Sequence, residues 1–271
     1  VGVTEAEAKK AGIQYGVALQ WTALQPNPTM DALFELDRAS DWTEFRAAAA
    51  DFTVPAQNLV YADTKGNIGY QAPGLIPIRK SGDGRWPVPG WTSAYDWTGY
   101  IPFSALPNEY NPSQGFIVTA NNAVVGPTYP YLLTTDWDYG YRSQRITDDI
   151  KRLTSNGRKI SVADMASIQN DSYNPEAALL TPYLLKVKTD AFTRRAQDLL
   201  KNWDYTQPAT SGAAAYYNAV WAEILKMTFG NKLPGGVDRP PLVFDGGDRC
   251  FGGGEWFTTQ PARACRSVVN K

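Results

Sequence analysis

The chain has 271 residues, 43% of them hydrophobic and 13% aromatic, with nine Trp and fifteen Tyr, which is enough to enclose a core and excludes a disordered polypeptide. Lys plus Arg (26) nearly balances Asp plus Glu (27) without a long run of either sign, so nucleic acid and anionic membrane are poor partners for it. The chain contains no histidine, which excludes Ser-His-Asp and Cys-His catalysis within this polypeptide and argues against a transition-metal site.

No apolar stretch reaches the length of a membrane span, and residues 1–11, VGVTEAEAKKA, lack the pattern of a signal peptide. If the protein is exported, its signal has already been removed. Residues 13–24, IQYGVALQWTAL, alternate and are rich in Tyr, Val and Trp, which predicts a strand. Residues 33–50 read as two short helical pieces. The second takes Ser40 or Asp41 as N-cap with Glu44 following, as in a capping box, and places Trp42, Phe45 and Ala49 on one face.

Residues 58–71, NLVYADTKGNIGYQ, hold two extended segments around Asp63-Thr-Lys-Gly66-Asn67, a short hairpin. Residues 72–115 carry no periodicity and are crowded with Pro, Gly and Trp, as in RWPVPGW and YDWTGYIPF. Their aromatic content predicts a packed, irregular lid or wall.

Residues 111–125, NPSQGFIVTANNAVV, join an Asn-Pro-x-x-Gly turn, an apolar run from Phe116 to Ala120 that predicts a strand, and the pair Asn121 and Asn122 at its end. Two readings of this pair stand side by side. Adjacent asparagines cap turns; a carboxamide fixed at a strand end also donates two N–H bonds without titrating, which suits a developing negative oxygen.

Beyond it, residues 139–153 predict a helix with Ile146, Ile150 and Leu153 on one side. Further helices are predicted over 161–170 with Ser161 as N-cap, over 177–188, over 191–200, and over 213–229, the last ended by Gly230. Residues 250–271 lose this patterning, and both cysteines, Cys250 and Cys265, fall there. Their spacing is too long for a CxxC motif, and free thiols and a tail disulfide both remain open.

The blocks YGVALQWTAL, NLVYADTKGNIGY, RWPVPGWTSAYDWTGYIPF, NPSQGFIVTANN and YRSQRI together resemble, in order and spacing, the penicillin acylase family of N-terminal-nucleophile hydrolases, which includes penicillin, cephalosporin and acyl-homoserine-lactone acylases. The resemblance runs from Ile13 to about Arg249. It implies an α+β fold, part of an αββα sandwich, with a strand-and-loop first half and a helical second half. Residues 1–249 would be a partial acylase large-subunit domain and residues 250–271 an irregular tail atypical of the family.

Members of this family cleave amides with a serine at a newly formed N-terminus, whose α-amine acts as base. An amine titrating near neutrality replaces histidine in that role. By motif, Asn121 matches the family asparagine that helps form the oxyanion hole, and Arg145 the arginine that positions the catalytic centre. Arg145 also reads as a helix arginine paired with Asp148 or Asp149, and Asn122 as a turn residue. The family's structural calcium has a counterpart loop around Gly84, but no metal or other cofactor is expected here.

Val1 is not a nucleophile, so the chain resembles an internal fragment of the larger subunit, lacking the attacking serine. The expected activity is that of a hydrolase cleaving linear amides, the acyl side chains of β-lactams or acyl-homoserine lactones, in antibiotic metabolism. The resemblance places it in the periplasm or outside the cell. Self-association or a complementary acylase chain is expected, because part of a two-sheet core leaves apolar faces open.

Two alternatives differ in kind. A free-standing esterase would need another nucleophile, and neither a GxSxG elbow nor an SxxK pair is present, which leaves Ser113 and Ser143 without a motif. A non-catalytic remnant would bind an apolar acyl group through the aromatic loop from Trp86 to Phe103.

Overall fold

The structure, a computed structural model, describes residues 16–230 together with Gly12. The chain divides into two compact units between Thr147 and Asp148. The first holds the short strands and two helices; the second is helical, in keeping with a strand-and-loop first half and a helical second half.

In the first unit, helices α1 (Thr29–Arg38) and α2 (Trp42–Asp51) pack together. Small residues make this approach close: Ala32, Ala48 and Ala49 are buried. The start of α2 divides the capping task between two residues. The Asp41 carboxylate accepts the Glu44 N–H at 2.9 Å, while the Glu44 carboxylate reaches back to the N–H and hydroxyl of Ser40, each at 2.8 Å. Unsatisfied first-turn donors are thus covered from both directions.

Strands β1 (Leu59–Ala62) and β2 (Ile68–Gln71) form the expected antiparallel hairpin, Leu59 opposite Gln71 and Ala62 opposite Ile68. The Asp63 carboxylate organises its turn, accepting the backbone N–H of Lys65 and of Asn67 at 2.9 Å each, the Asn67 side-chain amide at 2.7 Å, and the hydroxyl of buried Tyr61 at 2.9 Å.

The stretch over 72–115 contains more regular structure than its sequence predicts. Strands β3 (Pro77–Arg79) and β4 (Trp97–Tyr100) pair antiparallel with a register shift at Ile78/Arg79. Strand β5 (Asn108–Tyr110) adds to β2, completing the order β1-β2-β5. Three or four residues are too few to show a period. The Asn-Pro turn follows at once: Asn111, in the left-handed region at φ 49°, accepts the Ile68 N–H through its side-chain oxygen at 2.9 Å and donates to Asn67 at 2.8 Å, linking turn to hairpin.

Among the described residues, neither of two predicted strands forms. Residues 16–21 pair with none of the described strands, and Thr22–Leu24 is a 3-10 turn; Val17 and Leu19 are exposed. The run from Phe116 to Ala120 is extended and half-buried but joins no ladder. Both have strand-forming side chains, yet a strand is completed by a neighbour's backbone.

Helix α3 (Tyr141–Thr154) crosses the division between the units, with Ile150 buried and Ile146 and Leu153 half-buried. The second unit continues with α4 (Val162–Gln169), whose Ser161 and Asp164 form a complete capping box. Next come α5 (Pro175–Leu184), α6 (Ala191–Gln197) with a 3-10 extension Asp198–Leu200, and α7 (Gly212–Phe229). The helix predicted over 177–188 ends at Leu184, where buried Gln197 donates its side-chain amide to the carbonyls of Leu184 (2.7 Å) and Val187 (2.9 Å), supplying partners for carbonyls beyond the helical ladder. Ala177, Leu200, Trp203, Ala214 and Tyr217 form this unit's core. The tail over 250–271, with Cys250 and Cys265, lies outside the described residues.

Candidate functional site

The Asn pair stands at the end of the extended run, and its backbone explains why asparagine suits it. Asn121 has φ 63°, a left-handed conformation that asparagine adopts more readily than most residues. Its carbonyl accepts the Asp138 N–H at 2.8 Å, and Asn122 bridges to Asp138 in parallel. The Asn122 side chain turns back on its own segment, accepting the Ala120 N–H at 3.1 Å and donating to the Ala123 carbonyl at 3.2 Å. The Asn122 side chain thus fastens its own segment beside the bridge to Asp138.

The Asn121 side chain does something different. Its oxygen accepts one guanidinium N–H from Arg142 at 2.8 Å. The same Arg142 nitrogen reaches the Asp138 carboxylate at 3.1 Å, and the Arg142 Nε approaches that carboxylate oxygen at 3.3 Å. The other Asp138 oxygen accepts the Gly140 N–H at 2.9 Å. That backbone bond and then the Arg142 guanidinium hold the Asp138 carboxyl below the usual carboxylate range. Among the described residues the Asn121 side-chain nitrogen has no hydrogen-bond partner, and the residue is exposed.

Arg145 lies one turn along α3 from Arg142 and is half-buried. Of its two suggested carboxylate partners, Asp149 is buried and takes the Arg152 guanidinium at 2.9 Å. Arg142 and Asp138 escaped the sequence reading. The signal available was an Asp–Arg pair four apart at the start of a predicted helix, DYGYR, a pattern that usually marks nothing more than a solvated ion pair.

A separate concavity of about 540 Å³ is lined by Arg79, Asp83, Gly84, Arg85, Thr134 and Asp136, among others. Arg85 pairs with Asp83 at 2.6 Å, and a side chain at Gly84 would meet the Arg79 guanidinium at 2.7 Å. Two guanidinium groups offset the two carboxylates on this wall, and the described residues hold no cluster of three or more Asp, Glu, Cys or His. On their own they do not fit a calcium ion, which takes six to eight oxygen ligands. No described helix is long and apolar enough to cross a membrane.

Comparison with known proteins identifies the family. A family model described as penicillin amidase matches residues 3–269. The chain is 32% identical over 237 residues to an acyl-homoserine lactone acylase, QuiP, of Pseudomonas fluorescens, covering 82% of this chain and 29% of that protein. It is 34% identical over 209 residues to the penicillin acylase 2 proenzyme of Pseudomonas sp. strain SE83, covering 75% and 26% respectively. Among solved structures, the thermostable penicillin G acylase from Alcaligenes faecalis superposes with a TM-score of 0.57 at 26% identity, over 73% of this chain and 37% of that one. The chain thus spans less than a third of the length of these curated relatives. Its α+β architecture is part of the αββα sandwich of an N-terminal-nucleophile hydrolase, and the chain belongs to the penicillin amidase family.

Proposed function

We propose that the chain supplies part of the active centre of an amide hydrolase of the acylase type, in which Asn121 donates its side-chain N–H to the oxygen of a scissile carbonyl. The observation that carries this reading is the orientation of one amide: the Asn121 oxygen is taken up by Arg142, and its nitrogen is left facing outward as a donor. A donor held before the reaction begins stabilises charge as it develops, without reorganising. Arg145, in this reading, positions the centre from the half-buried side of the same helix. The attacking serine comes from outside the 271 residues, and a complementary acylase chain or a second copy completes the sandwich.

Acylase relatives support a reaction in which an α-amine acts as base, and a histidine-free sequence is compatible with it. The substrate class is a linear acyl amide, either the acyl side chain of a β-lactam or an acyl-homoserine lactone, met in the periplasm or outside the cell. A second reading, acyl binding without cleavage, is favoured by the exposed aromatic loop, where Trp86 and Trp91 are each 76% exposed.

The test is turnover of an arylacetamide, an acyl-homoserine lactone and p-nitrophenyl esters by the chain together with the acylase segment that carries the serine, and by Asn121→Gly in the same assembly, which suits the left-handed backbone while removing the amide. Amide turnover is expected to fall on the order of a hundredfold or more. Unchanged turnover in the variant removes the oxyanion role, and acyl binding without turnover by the serine-bearing parent assembly supports the second reading.

A further inference from the structure

We infer that Arg142 is a positioning residue that determines which end of the Asn121 carboxamide faces outward. The inference rests on the proposed oxyanion role for its catalytic meaning, though its geometry is independent of it. A carboxamide turned over about its last bond keeps its shape and exchanges an acceptor for a donor. Nothing in the Asn121 backbone chooses between the two orientations. Arg142 does, because guanidinium groups carry only donors: the 2.8 Å contact to the Asn121 oxygen is attractive one way and sets donor against donor the other way.

The guanidinium is itself located by two attachments. It projects from the first turn of α3, and it is bound to Asp138 four residues earlier through Nε and Nη2. Asp138 is tied to Asn121 through the backbone bond of 2.8 Å and to Gly140 through 2.9 Å. Asn121, Asp138 and Arg142 therefore form a closed ring of contacts. The Arg142 side chain is 58% exposed, so solvent screens its charge and its contribution is chiefly geometric. Lysine keeps the charge but loses the planar fork that reaches both partners at once.

The test is nuclear magnetic resonance of the full chain labelled with 15N at Asn and Arg, with the Asn121 side-chain amide identified by its loss in Asn121→Asp. In the parent, the Asn121 amide protons are expected to lie on the far side from the Arg142 guanidinium protons, giving no strong cross-relaxation between them. Strong cross-relaxation would overturn the inference without any variant. In Arg142→Gln and Arg142→Lys, the Asn121 amide signals are expected to move towards those of exposed asparagines while backbone signals of the β1–β2 hairpin stay in place; unmoved signals would also overturn it. Where amide turnover is measurable, Arg142→Lys should lower kcat about tenfold with KM within about twofold. If Asn121→Gly leaves turnover intact while the resonance results hold, the oxyanion reading fails and the positioning of the amide stands.

Discussion

Trp42 lies flat on Gly69. A side chain at position 69 would stand 2.7 Å and 2.8 Å from carbon atoms of the indole ring, and the indole stacks on Phe45 and Tyr110, with centroids 5.4 and 5.1 Å away. The glycine is the opening through which α2 reaches the centre of the three-stranded sheet. Gly69→Ala is therefore expected to destabilise the first unit by about 1–3 kcal/mol through overpacking. Chemical denaturation followed by Trp fluorescence measures it, and an unchanged midpoint would contradict the packing.

A second prediction concerns the fully buried Gln71. Its oxygen accepts the Arg46 Nε–H at 2.9 Å, and its nitrogen donates to the Ala72 carbonyl at 3.0 Å. Gln71→Ala strands polar partners in the interior and should cost about 1–3 kcal/mol. Arg46→Ala leaves the Gln71 oxygen unsatisfied and should cost a similar amount. The double variant should cost less than the two added together.

The turn of the hairpin predicts a pH dependence. Bonds from the Asn67 side chain first, then from backbone N–H groups and Tyr61, bring the Asp63 pKa from 3.8 down to about 2. A group whose folded pKa is depressed stabilises the fold above its unfolded value, and that stabilisation is lost as pH falls through the folded pKa. The hairpin should therefore keep its full Asp63 contribution above about pH 4 and lose it towards pH 2. Asp63→Asn should flatten that part of an acid titration followed through the Gly66 and Asn67 amide resonances. The Tyr61 hydroxyl, pushed up to about 12 by burial and by its bond to Asp63, should stay protonated through the alkaline range in which free tyrosine ionises.

In the second unit, Leu200 is 1% exposed within the core cluster, whereas Leu179 on α5 is 63% exposed. Leu200→Ala should cost about 2–5 kcal/mol and Leu179→Ala within about 0.5 kcal/mol. Urea titration followed by circular dichroism of the helices distinguishes the two.

The hairpin, Asp41 and Ser161 as helix caps, and the amphipathic α3 were legible because each is written within a few neighbouring residues. Asp63-Thr-Lys-Gly-Asn carries its own turn bonds, and Ser161 and Asp164 cap each other. Residues 16–24 and 116–120 do not form the strands their side chains suggest, because strand-forming side chains say nothing about whether another backbone lies alongside. β3, β4 and β5 were missed for the opposite reason: their partners lie far off in sequence, and Gly and Pro around them signal loop. At the candidate site, the asparagine pair was conspicuous and its arginine was not. Asn121 and Arg142 are 21 residues apart, and only the folded chain brings the carboxamide within reach of the helix start.

The pairing of Arg142 with Asp138 also bears on what the site attracts from solution. Within this pair one cation and one anion cancel, so the pair itself presents no net ion beside the dipole of the Asn121 amide. A free acid, fully anionic in bulk, feels little pull towards such a surface, whereas a carbonyl already in place gains a donor at contact distance. In the proposed reading, occupancy by acyl amides should accordingly change little between dilute and physiological salt, and the acid such a reaction releases should compete only weakly with the next substrate.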